Sequence, residues 1–197
     1  MQHALILALN SGQREADLLR LPWSAYDGTW IRLRQGKSRR GQKQPRLIEI
    51  PCTSELRQML DGIERRAVTI LATKTDRAYK KRYFIKCWGD VMTEAGLDSV
   101  QFPNMEAPVK LHFHDLRGTC VLKLAEAGAT IQEIAAITGH LFKTAHQILE
   151  RYLPRTASMA QQAIAKLENS DRTKNVNRAV NWIPERTKAN RKKQEVQ

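Results

Sequence analysis

No stretch of this 197-residue sequence is apolar enough to cross a bilayer as a helix. The longest apolar run, around His3 to Leu9, is amphipathic and far short of the roughly 20 residues needed. It also lacks the basic start and small-residue cleavage site of a secretory signal. These absences exclude a membrane-spanning helix and predict a soluble protein of the cytoplasm. Cysteine is scarce as well: Cys52, Cys87 and Cys120 are odd in number, widely spaced and without a C-x-x-C pair. That pattern predicts reduced, mostly buried thiols and excludes a disulfide framework or a zinc site. His112 and His114 flank Phe113, but no cysteine or carboxylate stands where it would complete a tetrahedral set, so neither metal nor cofactor is expected. No internal repeat is visible.

Acidic residues are few. Twenty Asp and Glu face 33 Lys and Arg, a formal net charge of +13. Such an excess favours a polyanionic partner through counterion release and long-range steering. DNA, RNA and an anionic membrane surface satisfy this arithmetic equally, so charge names a class of partner and no reaction.

What is present reads as one domain with a tail. Apolar residues make up 42% of the chain, enough for a proper core. Met1 opens almost inside an apolar helix-period segment, which predicts a fragment whose N-terminal part has been removed. Asn10, Ser11 and Gly12 interrupt that pattern, and a second helix is expected from Gln13 to about Leu19, ended by Pro22. Strand signals follow: Trp23 to Tyr26, the turn dipeptide Asp27-Gly28, the alternating segment Thr29 to Arg34, and Leu47 to Ile50 before Pro51. They predict a small antiparallel sheet of three strands.

The remainder is helical. Helices are expected over Ser54 to Leu71, over Asp76 to Ala95 with Gly96 at the cap, and from His114 to Gly128. Thr130-x-x-Glu133 is a capping box opening a short helix that stops at Gly139. Further helices fit Thr144 to Arg151 and Thr156 to Leu167. The fold class is therefore mainly α with a small three-stranded sheet. Residues 1–168 form one domain and 169–197 a polar, basic, flexible tail.

Breaking a DNA phosphodiester without a metal imposes a definite set of parts. The pentacoordinate phosphate gains negative charge, so fixed cations must surround its oxygens. Arginine suits best, because its planar fork makes paired hydrogen bonds and never deprotonates. A nucleophile must attack, and a proton donor must serve the leaving oxygen. The sequence presents such groups in order. Arg14 lies near a helix start in Ser-Gly-Gln-Arg-Glu-Ala-Asp-Leu, with Asp17 three residues on to buttress it. Lys37 sits in Gln-Gly-Lys-Ser at the sheet turn, with Arg39, Arg40 and Lys43 beside it as further DNA contacts. His114 and Arg117 share a helix face in His-Asp-Leu-Arg. Gly139-His140 puts an imidazole at a helix end, and Tyr152 follows in Glu-Arg-Tyr-Leu-Pro.

This order resembles the catalytic domain of the tyrosine recombinases, in particular the phage-type integrases. The likeness runs from about Leu5 to Ile164, and Ser-Gly-Gln-Arg-Glu-Ala-Asp-Leu-Leu, His-Asp-Leu-Arg-Gly-Thr and Ile-Thr-Gly-His are its most specific pieces. It implies that Arg14 and Arg117 clamp the scissile phosphate while His114 and His140 hydrogen-bond it. It further implies that Lys37 protonates the 5′-hydroxyl leaving group and that Tyr152 attacks to give a 3′-phosphotyrosyl bond. Double-stranded attachment DNA and a homotetramer on that DNA are the implied partners, the isolated chain being compatible with a monomer. The family also places a separate DNA-binding domain before this one. Two features depart from its pattern: Gly118 stands where a second histidine is frequent, and the gap from Gly139-His140 to Tyr152 is longer than usual.

Two rival readings use the same residues. Thr130 to Tyr152 fits a helix-turn-helix spacing, which would make the protein a non-catalytic DNA-binding regulator, but this leaves Arg14, Lys37 and His-x-x-Arg unexplained. A type IB topoisomerase would need similar catalytic groups and would relax supercoils without exchanging partners.

Overall fold

The structure is a computed structural model that describes residues 1–36, 46–102, 106–152, 161 and 163–169. Its elements run α1 (Gln2–Ser11), α2 (Glu15–Leu18), a short 3-10 helix (Trp23–Ala25), β1 (Trp30–Arg34), β2 (Leu47–Pro51), α3 (Ser54–Gly62), α4 (Lys81–Glu94), α5 (Asp115–Glu126), α6 (Ile131–Thr138) and α7 (Phe142–Tyr152). Met1–Leu153 forms one compact unit. Residues 154–197 form a second, in which 161 and 163–169 are helical. The basic tail expected beyond residue 169 and the helix start expected at Thr156 fall outside the described residues.

The described sheet has two strands, not three. β1 and β2 pair antiparallel with Ile31 opposite Ile50 and Leu33 opposite Ile48, and all four point inward and are buried. Arg32 and Glu49 pair on the outer face at 3.0 Å. The expected first strand, Trp23 to Tyr26, folds instead as the 3-10 helix, with Tyr26 making a single bridge to Ile31. The reason is local. Pro22 stands at its start, and only a few residues later Asp27 turns the chain by accepting the N–H groups of Thr29 and Trp30 at 2.9 and 2.8 Å. Those two N–H groups hold the Asp27 carboxyl well below the usual carboxylate range.

Two helix boundaries also differ from the pattern-based expectation. α3 stops at Gly62 rather than Leu71, because the β-branched run Val68-Thr69-Ile70 is drawn into extended pairing. Trp23 donates to Val68 O at 3.0 Å, and Ile70 donates to Leu21 O at 2.9 Å. α4 starts at Lys81 rather than Asp76, since Asp76 sits in the left-handed region at φ 57° inside a turn closed by Thr73 and Arg77. The Thr130–Glu133 capping box forms as expected.

The main core gathers α1, α2, the sheet, α3 and α4, with Phe84 packed edge-to-face on Phe113 at 4.8 Å. A second cluster, Val121, Ile134 and Ala145, joins α5, α6 and α7. Gly12, with a φ of 59°, ends α1. A Cβ there would lie 2.8 Å from Thr138 Cγ2 and 2.9 Å from Cys120 Sγ. Only glycine lets the C-terminal ends of α1 and α6 approach α5 this closely.

Candidate active site

Arg117 is a buried cation, 4% exposed, on the inner face of α5. Its Nη1 donates to the carbonyl of Gly12, and its Nε donates to His140 Nε2 at 3.0 Å. Nη2 is shielded from solvent and has no hydrogen-bond partner among the described residues. Burial, with the Arg14 charge nearby, pulls the Arg117 pKa down to about 10. At neutral pH the group remains a cation, held where water solvates it poorly.

Arg14 caps the start of α2 with an extended backbone. Its Nη1 lies 3.8 Å from Asp17 Oδ2, which is ion-pair range but too long for a hydrogen bond. That Nη1 is likewise shielded and without a hydrogen-bond partner among the described residues. The positive end of a helix four residues long adds little, so the anion-attracting field here comes from the two guanidinium groups.

Asp17 is buried and serves three groups. It accepts the N–H of Gly36 at 2.9 Å, pairs with Arg20 at 3.3 Å, and faces Arg14. The buttress role expected for Asp17 thus extends to the start of the sheet loop. Lys37, Arg39, Arg40 and Lys43 lie outside the described residues. The two ends of their loop are tied together, since Gln35 donates its backbone N–H to Arg46 O at 3.0 Å.

His140 stands one residue beyond Gly139, whose φ of 71° ends α6. Its Nδ1 meets Thr138 Oγ1 at 2.9 Å, and its Nε2 meets Arg117. Burial and the charges of Arg117, Arg14 and His114 push its pKa down to about 4, so the imidazole is neutral at physiological pH. His114 caps α5 and is exposed, one turn before Arg117. Asp115 supports the same helix start by accepting the His112 N–H at 2.7 Å. Tyr152 is the last residue of α7, and its side chain lies outside the described residues. Among the described residues no cluster of three or more His, Cys, Asp or Glu could hold a metal ion.

Arg14, Asp17, His114, Arg117 and His140 therefore come from three separate segments to one place. Pattern reading missed the buried amides that hold this convergence. Gln35 Nε2 donates to Gln13 Oε1 at 2.8 Å and to Thr138 O at 3.0 Å, while Gln13 Nε2 donates to Ile137 O at 2.8 Å. Each of these residues stands one or two positions before a candidate site residue in the chain. Adjacency to Arg14, Lys37 and His140 was the one signal available. Burial of a glutamine is invisible to hydrophobic periodicity.

α6 and α7 pack against each other, with Ala135 and Ala145 buried. Ala145 packs with Val121 of α5 and Ile134 of α6, and His140, in the turn between α6 and α7, lies beside Arg117.

Residues 1–157 match the sequence pattern of the phage integrase family. Among curated proteins nothing matches. Solved structures do. A Tn1549 transposon integrase in complex with transposon right end DNA aligns with TM-score 0.62 and 19% identity, over 84% of this chain and 58% of that one. A lambda integrase tetramer bound to a Holliday junction aligns with TM-score 0.56 and 21% identity, over 71% of this chain and 40% of that one. XerA recombinase aligns with TM-score 0.56 and 18% identity, over 83% of this chain and 58% of that one. The chain thus spans little more than half the length of these structures at most.

Proposed function

Since the chain belongs to the phage integrase family, we propose that it is the strand-cleaving domain of a site-specific tyrosine recombinase, acting in the cytoplasm on attachment sites of a mobile element or prophage. The observation that carries this reading is the pair of shielded guanidinium nitrogens, Arg14 Nη1 and Arg117 Nη2, that have no hydrogen-bond partner among the described residues and stand beside a neutral His140. Buried donors of this kind are costly unless a ligand accepts from them. The scissile phosphate has the charge and the oxygens to do so.

In this mechanism Arg14 and Arg117 take the non-bridging oxygens, and their charge offsets the negative charge that grows as phosphorus becomes pentacoordinate. The Tyr152 oxygen attacks phosphorus, the bond to the 5′-oxygen breaks, and a 3′-phosphotyrosyl link forms. His114, exposed at the mouth of the site, takes the tyrosine proton, and Lys37 gives its proton to the departing 5′-oxygen. The reverse reaction with a new 5′-hydroxyl reseals DNA without ATP, because the phosphotyrosyl bond conserves the energy of the original linkage. Arg39, Arg40 and Lys43 are assigned to the DNA backbone around the cut. The assembly proposed is a homotetramer on two DNA sites, by analogy with the lambda integrase tetramer.

The test is covalent capture on a nicked suicide substrate carrying the DNA that flanks the gene, with chelator present. A metal-independent adduct lost in Tyr152→Phe is expected. An adduct persisting in Tyr152→Phe would move the nucleophile elsewhere. Site-specific binding without any adduct would favour the regulator, and plasmid relaxation without a defined site would favour the topoisomerase. Binding by this chain alone should be weak and steeply salt-dependent, given its charge of +13.

A further inference from the structure

We infer that Thr138 is a positioning residue that decides which nitrogen of His140 carries the proton, and so whether that imidazole donates or accepts at its Nε2. The inference deepens the proposed strand-cleaving site and rests on it for its catalytic consequence. The proton assignment itself rests on geometry alone.

Thr138 is fully buried at the last turn of α6. Its hydroxyl lies 2.7 Å from the carbonyl of Ile134, four residues back, and a carbonyl can only accept. The single hydroxyl proton is therefore committed to Ile134, and towards every other neighbour Oγ1 can only accept. Two donors of His140 use its remaining capacity: the backbone N–H at 3.4 Å and the ring Nδ1 at 2.9 Å. Nδ1 must then bear a proton. The opposite side of the ring leads to the same assignment, because Arg117 Nε–H can only donate and Nε2 must accept from it at 3.0 Å. Oxygen and guanidinium thus clamp one tautomer between them, neutral with the proton on Nδ1. The lowered pKa of His140 agrees with this neutral ring.

The clamp has a second setting. If the ring gives up its Nδ1 proton to solvent and takes one at Nε2, the Thr138 hydroxyl can turn its proton from Ile134 O to Nδ1, and the still neutral ring donates at Nε2. A donor at Nε2 is what a phosphate oxygen requires, and what Arg117 Nε cannot tolerate. DNA binding that draws Arg117 towards the phosphate would release Nε2 and permit this exchange. Thr138 is also fixed in place from both sides. Its carbonyl accepts Gln35 Nε2 at 3.0 Å, and its methyl abuts the space beside Gly12.

Two substitutions separate the hydroxyl from the methyl. Thr138→Val keeps the shape and removes the acceptor, while Thr138→Ser keeps the acceptor and removes the methyl. The first measurement is nitrogen NMR of histidine-labelled protein without DNA, with His140→Ala to assign the signal. The parent and Thr138→Ser should show a protonated, exchange-protected Nδ1 and an unprotonated Nε2 at neutral pH. Thr138→Val should lose the protection. A proton on Nε2 in the parent would overturn the assignment, and unchanged protection in Thr138→Val would overturn the role of Thr138, whatever the protein does to DNA.

The second measurement is the rate of adduct formation on the suicide substrate. Thr138→Val should slow it by about tenfold, the weight of one hydrogen bond to the reacting assembly. Thr138→Ser should restore it. In a His140→Ala background the valine should cost nothing further, since its effect passes through that ring. Additive losses would show that Thr138 acts through the fold instead. No adduct from the parent would defeat the proposed function while leaving the NMR result to decide the tautomer.

Discussion

The backbone N–H of Gly36 donates to Asp17 Oδ1 at 2.9 Å, and the same carboxylate faces Arg14 across 3.8 Å through its other oxygen. One buried side chain therefore links the first arginine of the site to the residue that precedes Lys37. Gly36 and Arg14 are thereby joined through one carboxylate. A Cβ at Gly36 would also lie 2.3 Å from Arg20 Nη2, so a side chain larger than hydrogen would disturb the same junction.

Asp17→Asn keeps an oxygen for Gly36 and removes the charge opposite Arg14 and Arg20. The variant should lose about 1–3 kcal/mol of stability, the range for a buried hydrogen-bonded group deprived of its proper partners. Adduct formation should fall more than DNA affinity, because the defect is one of orientation. Chemical denaturation and single-turnover cleavage measure the two effects. An equal loss of affinity and rate would point to a plain charge effect.

His140 predicts a pH dependence of stability with a definite sign. In the unfolded chain its pKa is near 6.5, and in the fold it is about 4. Between these values the unfolded state binds a proton that the native state refuses. The stability associated with the neutral ring is complete above about 6.5 and is lost as pH falls towards 4. Thermal melts at pH 7.5 and 4.5 should show a smaller acid-induced drop for His140→Gln than for the parent. Identical drops would show that the ring titrates normally.

Arg117 should serve chemistry at the expense of stability. Its pKa is pulled down to about 10 by burial and by Arg14, so the native environment disfavours its charge. Arg117→Met retains length and apolar volume and removes the cation. It should melt no lower than the parent while forming no adduct. A fall of more than about 5 °C, well over 1 kcal/mol for a domain of this size, would mean that the bonds to Gly12 and His140 outweigh the burial cost.

Two glycines near the site should respond to alanine in opposite directions. Gly139 has φ 71°, and a Cβ there would lie 2.4 Å from Gln35 Nε2. Gly139→Ala should cost at least 1–2 kcal/mol, the approximate penalty of the left-handed region for an L side chain, and should displace His140. Gly118 lies inside α5 with nothing within 4 Å of a Cβ. Gly118→Ala should stabilise by roughly 0.5–1 kcal/mol through helix propensity, with cleavage unchanged. Melting temperatures and capture assays on the pair check both statements.

Local chemistry was readable wherever it dominates local structure. The Thr130–Glu133 capping box, the α6 stop at Gly139 and the inward alternation of Ile31, Leu33, Ile48 and Ile50 follow from spacing and residue type. Boundaries failed where a distant backbone competed. Ala67 to Leu71 reads as the end of a helix, yet Val68 and Ile70 hydrogen-bond to Trp23 and Leu21, and extended pairing wins. Trp23 to Tyr26 reads as a strand because its residues favour strands, but Pro22 and the Asp27 turn leave it too short to pair beyond one bridge.

The sequence by itself determined the candidate reacting groups and their order along the chain. Residue type alone dictates that Arg14 and Arg117 stay charged, that imidazoles stand at 114 and 140, and that a glycine must precede His140. Only the tertiary structure decided how these groups act on one another. Gly12 carbonyl, contributed more than a hundred positions away, holds Arg117; Gln35 holds Thr138; and Thr138 holds the His140 ring. The first two join segments more than a hundred positions apart, and they fix the local pair of Thr138 and His140 in place. Protonation and orientation depend on burial and on the direction of single hydrogen bonds, which no local pattern encodes.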